Sequence, residues 1–447
     1  MLKHQLSVYD HIRFLSCDIG SRAMGSVGDK RARDYICSVF KDQGYDSKKQ
    51  EFDVESVSLG YYKVEITEPL LGEIPSYPIL SSPDTPEGGL SGELVFVEGS
   101  QQPQIGAHIE DKIVLWFCPS RSSFNWESLL RYNPRAVLAI WPNRGSRPKH
   151  YFRHNGLSIG HTAPSFWITC EDGLNLLQKG AKRACLHLHT EHNPSTTSNI
   201  IAEVKGDSRP EQFVVLGAHY DTAPDVAGAL DNASGVGVLL ELARLFARKG
   251  SRRSLRFVAW GGEEAGLIGS TYYINELKRK EEGVSDRALA ECDKDELARH
   301  LFYVNLDTVG MPLGYNSCYV LGPPKITMAM KALSQELEIP CHVKEEVDTS
   351  DHLPFASVGI PNVSLVREGP GLECIHTSED SIEMIDLSQL RLVGVFVEAL
   401  LHRVLAGAPN YSFARQVPPE IARKIEMRYG LDRFPGEGAG DLGRLGG

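Results

Sequence analysis

The sequence predicts an α/β protein: a mostly parallel sheet flanked by helices, interrupted by a smaller β-rich insert. Three observations carry that expectation. From 198 to 405, apolar runs at 212–218, 254–260, 301–306, 318–321 and 361–366 alternate with helical stretches near 233–249, 265–280, 325–338 and 387–405. Strands that are apolar on both faces and separated by helices indicate a largely parallel layer. Before them, residues 69–97 become Pro- and Gly-rich, and short strand candidates follow. The overall composition, 42% hydrophobic and 23% charged, is that of a globular chain and excludes collagen, coiled coil and wholesale disorder.

Residues 5–16 and 29–44 read as helices. In the second, Ala32, Ile36, Val39 and Phe40 recur at helical spacing and Gly44 stands at the stop position. Residues 52–66 read as extended, with Val54, Val57, Tyr61, Val64 and Ile66. The insert then offers strands at 93–97, 113–117, 136–141, 165–169 and 185–189, with helical pieces at 124–132 and 171–180. Turn-forming residues at 192–196, including Pro194, mark its exit. The expected organisation is therefore 1–68 as the first part of the larger unit, 69–192 as the insert, 193–405 as the main part and 406–447 as a C-terminal extension. That extension holds one short helix candidate at 418–428 and ends in a Gly-rich tail expected to be flexible.

The 447 residues carry 47 Lys and Arg against 58 Asp and Glu, a formal net charge of -11. An acidic balance argues against a nucleic-acid partner, which leaves a basic footprint. No stretch is long and apolar enough for a membrane helix, and Asp10, Arg13 and Asp18 interrupt the N-terminus where a signal peptide would be apolar. The nine cysteines are odd in number, scattered and free of CxxC pairs. Free thiols in a reducing, cytoplasmic setting follow as the expectation. No motif sets an oligomeric state.

The chemically informative residues follow the apolar runs. Residues 213–218 lead into His219 and Asp221; Asp231 sits in a Gly-rich turn before the helix at 233–249; residues 255–260 lead into Glu263 and Glu264; residues 300–306 lead into Asp307; and His376 lies beyond the last run. In an open α/β sheet, ligands bind beyond the carboxyl ends of the strands, so separate strand ends bring these groups together. Carboxylates packed without counter-charge repel one another and are pushed toward protonation. Divalent cations resolve that conflict. A His/Asp/Glu set without Cys suits Zn²⁺, with Co²⁺ or Mn²⁺ as alternatives, and two such ions sharing a carboxylate form a hydrolytic arrangement.

The ordered segments HYDT, ALDNASG, GGEEAG, NLDTVG, SDHLPF and IHTSEDS resemble the M28 family of co-catalytic dizinc aminopeptidases, of zinc-exopeptidase fold. The resemblance covers about 198–405, and the insert resembles the protease-associated (PA) domain that many such enzymes carry. It implies that His219 and Asp307 hold one Zn²⁺, Glu264 and His376 the other, and Asp231 bridges both. It further implies that Glu263 is the general base, taking a proton from the attacking water and passing it to the leaving amine, and that Asp221 orients His219. A cis peptide between Asp231 and Asn232 is also implied. The substrate would be a peptide, cut at its first residue. Asp351 and His352 are candidates for the substrate pocket, with an ordinary polar turn as the alternative. One departure stands out: some relatives carry Tyr just before the last histidine, where Ile375 stands here.

A carboxypeptidase or dipeptidase on the same fold is the alternative reading. It needs a cation to grip a substrate carboxylate, for which Arg367 is the candidate. A single-zinc glutaminyl cyclase fits the five-ligand set less well. A non-catalytic scaffold would lack ligands that are all present. His187 and His189 sit in HxH spacing in the insert without an evident acidic partner, and His150, His154 and His161 read as solvated. Trp116, Trp141 and Trp167 read as insert core.

Overall fold

A computed structural model describes residues 7–80, 82–101, 104–120, 123–145, 162–282 and 296–429. The first half supplies α1 (Val8–Arg13), α2 (Val27–Asp42), β1 (Lys48–Glu68), β2 (Leu70–Ile74), β3 (Tyr77–Pro78), β4 (Leu90–Glu98), β5 (Ile113–Phe117), α3 (Trp126–Leu130), β6 (Ala136–Ile140), β7 (Ser165–Ile168), α4 (Cys170–Gln178) and β8 (Arg183–Val204). The second half supplies β9 (Arg209–His219), α5 (Ser234–Lys249), β10 (Arg253–Trp260), α6 (Ile268–Glu282), α7 (Glu296–Arg299), β11 (His300–Leu306), β12 (Tyr315–Leu321), α8 (Pro324–Glu336), β13 (Cys341–Lys344), α9 (His352–Ser357), β14 (Asn362–Glu368), α10 (Leu387–Ala399) and α11 (Pro419–Tyr429).

The main sheet runs β13-β12-β14-β11-β9-β10-β8, and β1 pairs along β8. Its centre, β14-β11-β9-β10, is parallel throughout. Antiparallel pairings of β12 with β14 and of β8 with β10 and β1 flank it. The alternation expected of a doubly covered sheet is visible in β9: Val214, Leu216 and Ala218 point into the core under α2, α5 and α10, while Val215 joins Trp260, Tyr303 and Phe355 on the opposite face. Gly217 allows those aromatics to close over β9, since a Cβ there would meet Trp260 Nε1 at 2.2 Å and Tyr303 Oη at 2.5 Å.

The insert has its own sheet, β4-β5-β6-β7 in parallel with β3 antiparallel at the edge. One face packs Trp116, Trp126, Trp141 and Trp167 into a core of edge-to-face rings, with Trp141 and Trp167 at 5.1 Å and 88°. The other face packs Ile113, Leu115, Leu138 and Leu176. The expected tryptophan core is therefore present.

One expectation is corrected. Residues 192–196 do not turn: they are part of the 22-residue β8, and Pro194 lies opposite Glu55 of β1. In this stretch β8 pairs only with β1, so the missing proline N–H is tolerated. The 21-residue β1 and β8 thus form a two-stranded ribbon that joins the insert to the main sheet. The helix expected at 418–428 is present as α11, and the extension packs where it is described. Tyr411 donates to the Leu301 carbonyl, and Ile421 and Ile425 of α11 bury against Leu267, Leu353 and Ala356. The Gly-rich tail after 429, together with His150, His154, His161 and Cys292, lies outside the described residues. Among the described residues no helix is long and apolar enough to cross a membrane.

Trp167→Ala would remove the ring at the centre of the insert's aromatic core and should cost about 3–5 kcal/mol, measured by urea denaturation.

Candidate metal centre

Parallel strands place their carboxyl ends on one edge, and the register brings the expected residues level. Trp260 pairs with His219, so the turn carrying Glu263 and Glu264 leaves β10 beside it. Asn305 pairs with Gly217, which sets Asp307 beside His219 on the other side. Asp231 enters through the turn ahead of α5, and His376 through the loop after β14.

His219 Nε2 lies 3.1 Å from Asp231 Oδ1 and 3.5 Å from Asp307 Oδ1. His376 Nε2 lies 3.1 Å from Asp231 Oδ2 and 3.1 Å from Glu264 Oε2. Asp231 therefore presents one oxygen to each imidazole. His219, Asp231 and Asp307 form one group with ligand atoms within 4.8 Å of one another, and Asp231, Glu264 and His376 form a second. The Asp231–Asn232 peptide is cis.

These atoms fit divalent cations. His219 Nδ1 is 3.2 Å from the Asp221 carbonyl, which can only accept, so Nδ1 holds the proton and Nε2 presents a lone pair. That lone pair faces carboxylate oxygens. Asp307 Oδ1 and Glu264 Oε1 are buried without a hydrogen-bond partner, a costly state for charged oxygens. With the protein groups alone, burial opposes charge on His376, yet Glu264 and Asp231 outweigh it and raise its pKa to about 9. Burial pushes the Glu263 carboxyl well above its usual range, with Asp351, Asp307 and Glu264 adding to the effect and His219 opposing it.

Asp221 reaches further than expected. Its Oδ1 accepts from the Glu263 amide at 3.0 Å and its Oδ2 from the Glu264 amide at 3.1 Å, while its carboxylate stays 3.6 Å from His219 Nδ1. It orients the imidazole chiefly through its carbonyl and the Glu263–Glu264 turn through its carboxylate. Asn232 donates to the Leu306 carbonyl and accepts from the Gly235 and Thr308 amides, joining the Asp231 turn to the end of β11. His376 sits at φ 59°, a left-handed conformation uncommon for a non-glycine residue.

Sequence reasoning missed several supports. Ser350 donates to Asp307 Oδ2 at 2.6 Å and accepts from Asn305, which accepts from Tyr303, which accepts from Trp260. Asp380 accepts from the Leu230 and Asp231 amides at 2.7 and 3.1 Å. Its position four residues after His376 in the same segment was the available signal. Asp351 and His352 are fully buried. Burial raises Asp351 to about 7, with Asp221 and Asp307 adding to it and His219 opposing, and lowers His352 to about 3. Ile375 packs with Leu230 and Met311, so an apolar contact occupies the tyrosine position. His189 does have an acidic neighbour, Asp84 at 3.1 Å, contrary to the sequence reading. Neither His187 nor His189 belongs to a metal-type group among the described residues.

Together, a largely parallel sheet and this His/Asp/Glu edge define an α/β metallohydrolase. The chain belongs to peptidase family M28, whose profile matches residues 199–401. It is 30% identical over 418 residues to aminopeptidase YwaD of Bacillus subtilis, covering 89% of this chain and 84% of that one. It is 27% identical over 380 residues to leucine aminopeptidase 2 of Arthroderma otae, covering 81% and 71%. The solved structure of BSAP, a zinc aminopeptidase from Bacillus subtilis, superposes with a TM-score of 0.71 at 27% identity, covering 88% and 93%.

Asp221→Ala should strand the Glu263 and Glu264 amides and loosen the turn that carries Glu264, while the carbonyl that holds His219 remains. Zinc titration in a chelator buffer should find affinity reduced roughly 10–100-fold.

Proposed function

We propose that the chain is a zinc-dependent aminopeptidase that removes N-terminal residues from peptides, with two Zn²⁺ per chain. The observation that carries this reading is the Asp231 carboxylate, one oxygen toward each of two imidazole-containing groups. His219 and Asp307 would hold one ion and Glu264 and His376 the other, with Asp231 common to both. When bound, the ions supply Lewis acidity toward the scissile carbonyl and make water nucleophilic near neutral pH.

The chain's own residues supply the rest. Glu263 adjoins a ligand in sequence and is held by its amide on Asp221. It is the general base that takes a proton from the attacking water and returns it to the leaving amine. Asp221 keeps the proton of His219 on Nδ1 through its carbonyl. The surplus of carboxylates favours a substrate's free ammonium over a carboxylate, which supports cleavage at the N-terminus.

Arg367 argues against the carboxypeptidase alternative. It is buried, with Nε donating to the Met311 carbonyl at 2.6 Å, Nη1 to Asn316 and Nη2 to the Pro312 carbonyl. Its nitrogens are committed within the protein.

The unit at 69–192 is proposed as a PA-like insert. It touches loops around the centre, with Tyr77 donating to Asp225 at 3.3 Å and Asn143 donating to Glu373, three residues before His376. The eight described cysteines are free thiols, in keeping with a reducing cytoplasmic location.

Cleavage of an aminoacyl-chromophore should cease with a chelator and return with Zn²⁺. Glu263→Gln should retain both ions and lose most turnover, whereas Asp231→Ala should lose metal as well; full activity in Glu263→Gln would remove it from the base role. An N-acetylated peptide should resist cleavage when its free counterpart is cut, as followed by mass spectrometry; equal cutting of both would favour the carboxypeptidase.

A further inference from the structure

The family profile begins at 199, yet the centre is also held by a residue nearly two hundred positions earlier. Arg22 lies between α1 and α2, and its side chain is fully buried. Its guanidinium donates from Nε to the Tyr220 carbonyl at 2.7 Å, from Nη1 to Leu15, Gly20 and Ala227 carbonyls at 3.0, 2.8 and 2.7 Å, and from Nη2 to the Gly228 carbonyl at 2.9 Å. Its own amide donates to Thr222 Oγ1 at 2.9 Å. Five carbonyls thus hold a buried full charge, and Asp380, Asp221, Asp231 and Glu264 act on it through space.

Three of those carbonyls belong to the chain that shapes the centre. Tyr220 stands between His219 and Asp221, while Ala227 and Gly228 lead into the turn that delivers Asp231. Gly228 is left-handed at φ 57°. A Cβ there would lie 3.0 Å from Arg22 Nη2, and 2.3 and 2.4 Å from Thr222 Cγ2 and the Asp231 carbonyl. The turn is therefore packed directly on the guanidinium. Asp380 completes the hold by accepting the amides of Leu230 and Asp231. An apolar residue at 22 would strand several buried carbonyls, and lysine, with three donors on one point, could not reproduce the planar fork.

We propose that Arg22 is a positioning residue for Asp231, setting the bridging carboxylate by binding the carbonyls of the chain before it while Asp380 binds its amide. The inference rests on the two-metal reading and adds a part of the site outside residues 199–401.

Two effects of opposite sign make it testable. If Arg22 acted only as a nearby positive charge, removing it would tighten cation binding, because like charges repel. If it positions Asp231, removing it loosens binding. The full-length protein, stripped with a chelator, is titrated with Co²⁺ and followed by visible absorption, with Zn²⁺ competition for affinity. Wild type should bind two ions per chain; failure to do so would sink the two-metal reading itself, before any variant is compared. Arg22→Met and Arg22→Lys should fold by circular dichroism, bind metal roughly 10–100-fold more weakly at one site or both, and show an altered Co²⁺ spectrum at saturation. Affinity and spectrum equal to wild type, or tighter binding, in a folded variant would overturn the proposal. So would failure of both variants to fold, which would make Arg22 a residue of folding rather than of positioning.

Discussion

The constraint on which the rest depends is the crowding of carboxylates around two imidazoles, with Asp231 facing both. Its oxygens lie 3.1 Å from a histidine nitrogen on each side, and Glu264 and Asp307 close the two groups. Groups of like charge held this closely repel one another, so the protein must restrain them by covalent geometry and packing. Four neighbouring parallel strands provide that restraint. Their carboxyl ends share one edge, and their register sets His219, the Glu263–Glu264 turn and Asp307 side by side.

The loops beyond the strands need separate fastening, since a loop lacks the sheet's ladder of hydrogen bonds. Each is secured by a buried polar residue that reads backbone: Asp221 for the Glu263–Glu264 turn, Asn232 for the join between the Asp231 turn and β11, and Asp380 for the amide of Asp231. Asp307 is held by its side chain instead, at the end of a run from Trp260 through Tyr303, Asn305 and Ser350. Such networks are stabilising when every member is satisfied. The unpartnered Oδ1 of Asp307 lies 3.5 Å from His219 Nε2, within the first group of ligand atoms.

The insert is joined to this arrangement by more than its chain crossings. The β1–β8 ribbon pairs continuously from Lys48 to Leu59 on one strand and from Thr190 to Ile201 on the other. Side-chain contacts at Tyr77 and Asn143 reach loops near Asp231 and His376. A paired ribbon resists bending more than a single-stranded linker, so these contacts can recur in the same place.

Much was legible in the sequence. The apolar runs gave the strands of the main sheet nearly in place, because periodicity and hydrophobicity are local properties of a segment. The donor set was legible because metal chemistry restricts residue type, and short Gly-rich turns kept Asp231, Glu263 and Glu264 recognisable. The ribbon was misread at 192–196, because a proline signals a turn unless a partner strand, more than one hundred residues distant, pairs with the segment. His189 gained Asp84 by the same kind of long-range approach. By itself, then, the sequence determined the elements and the chemical kinds of ligand. Tertiary structure alone decided which oxygen of Asp231 faces which histidine, that Arg367 is spent on carbonyls, and that Arg22 lies beneath the centre. Those outcomes are contacts through space between distant segments, and contacts of that kind impose no repeat or spacing on the chain.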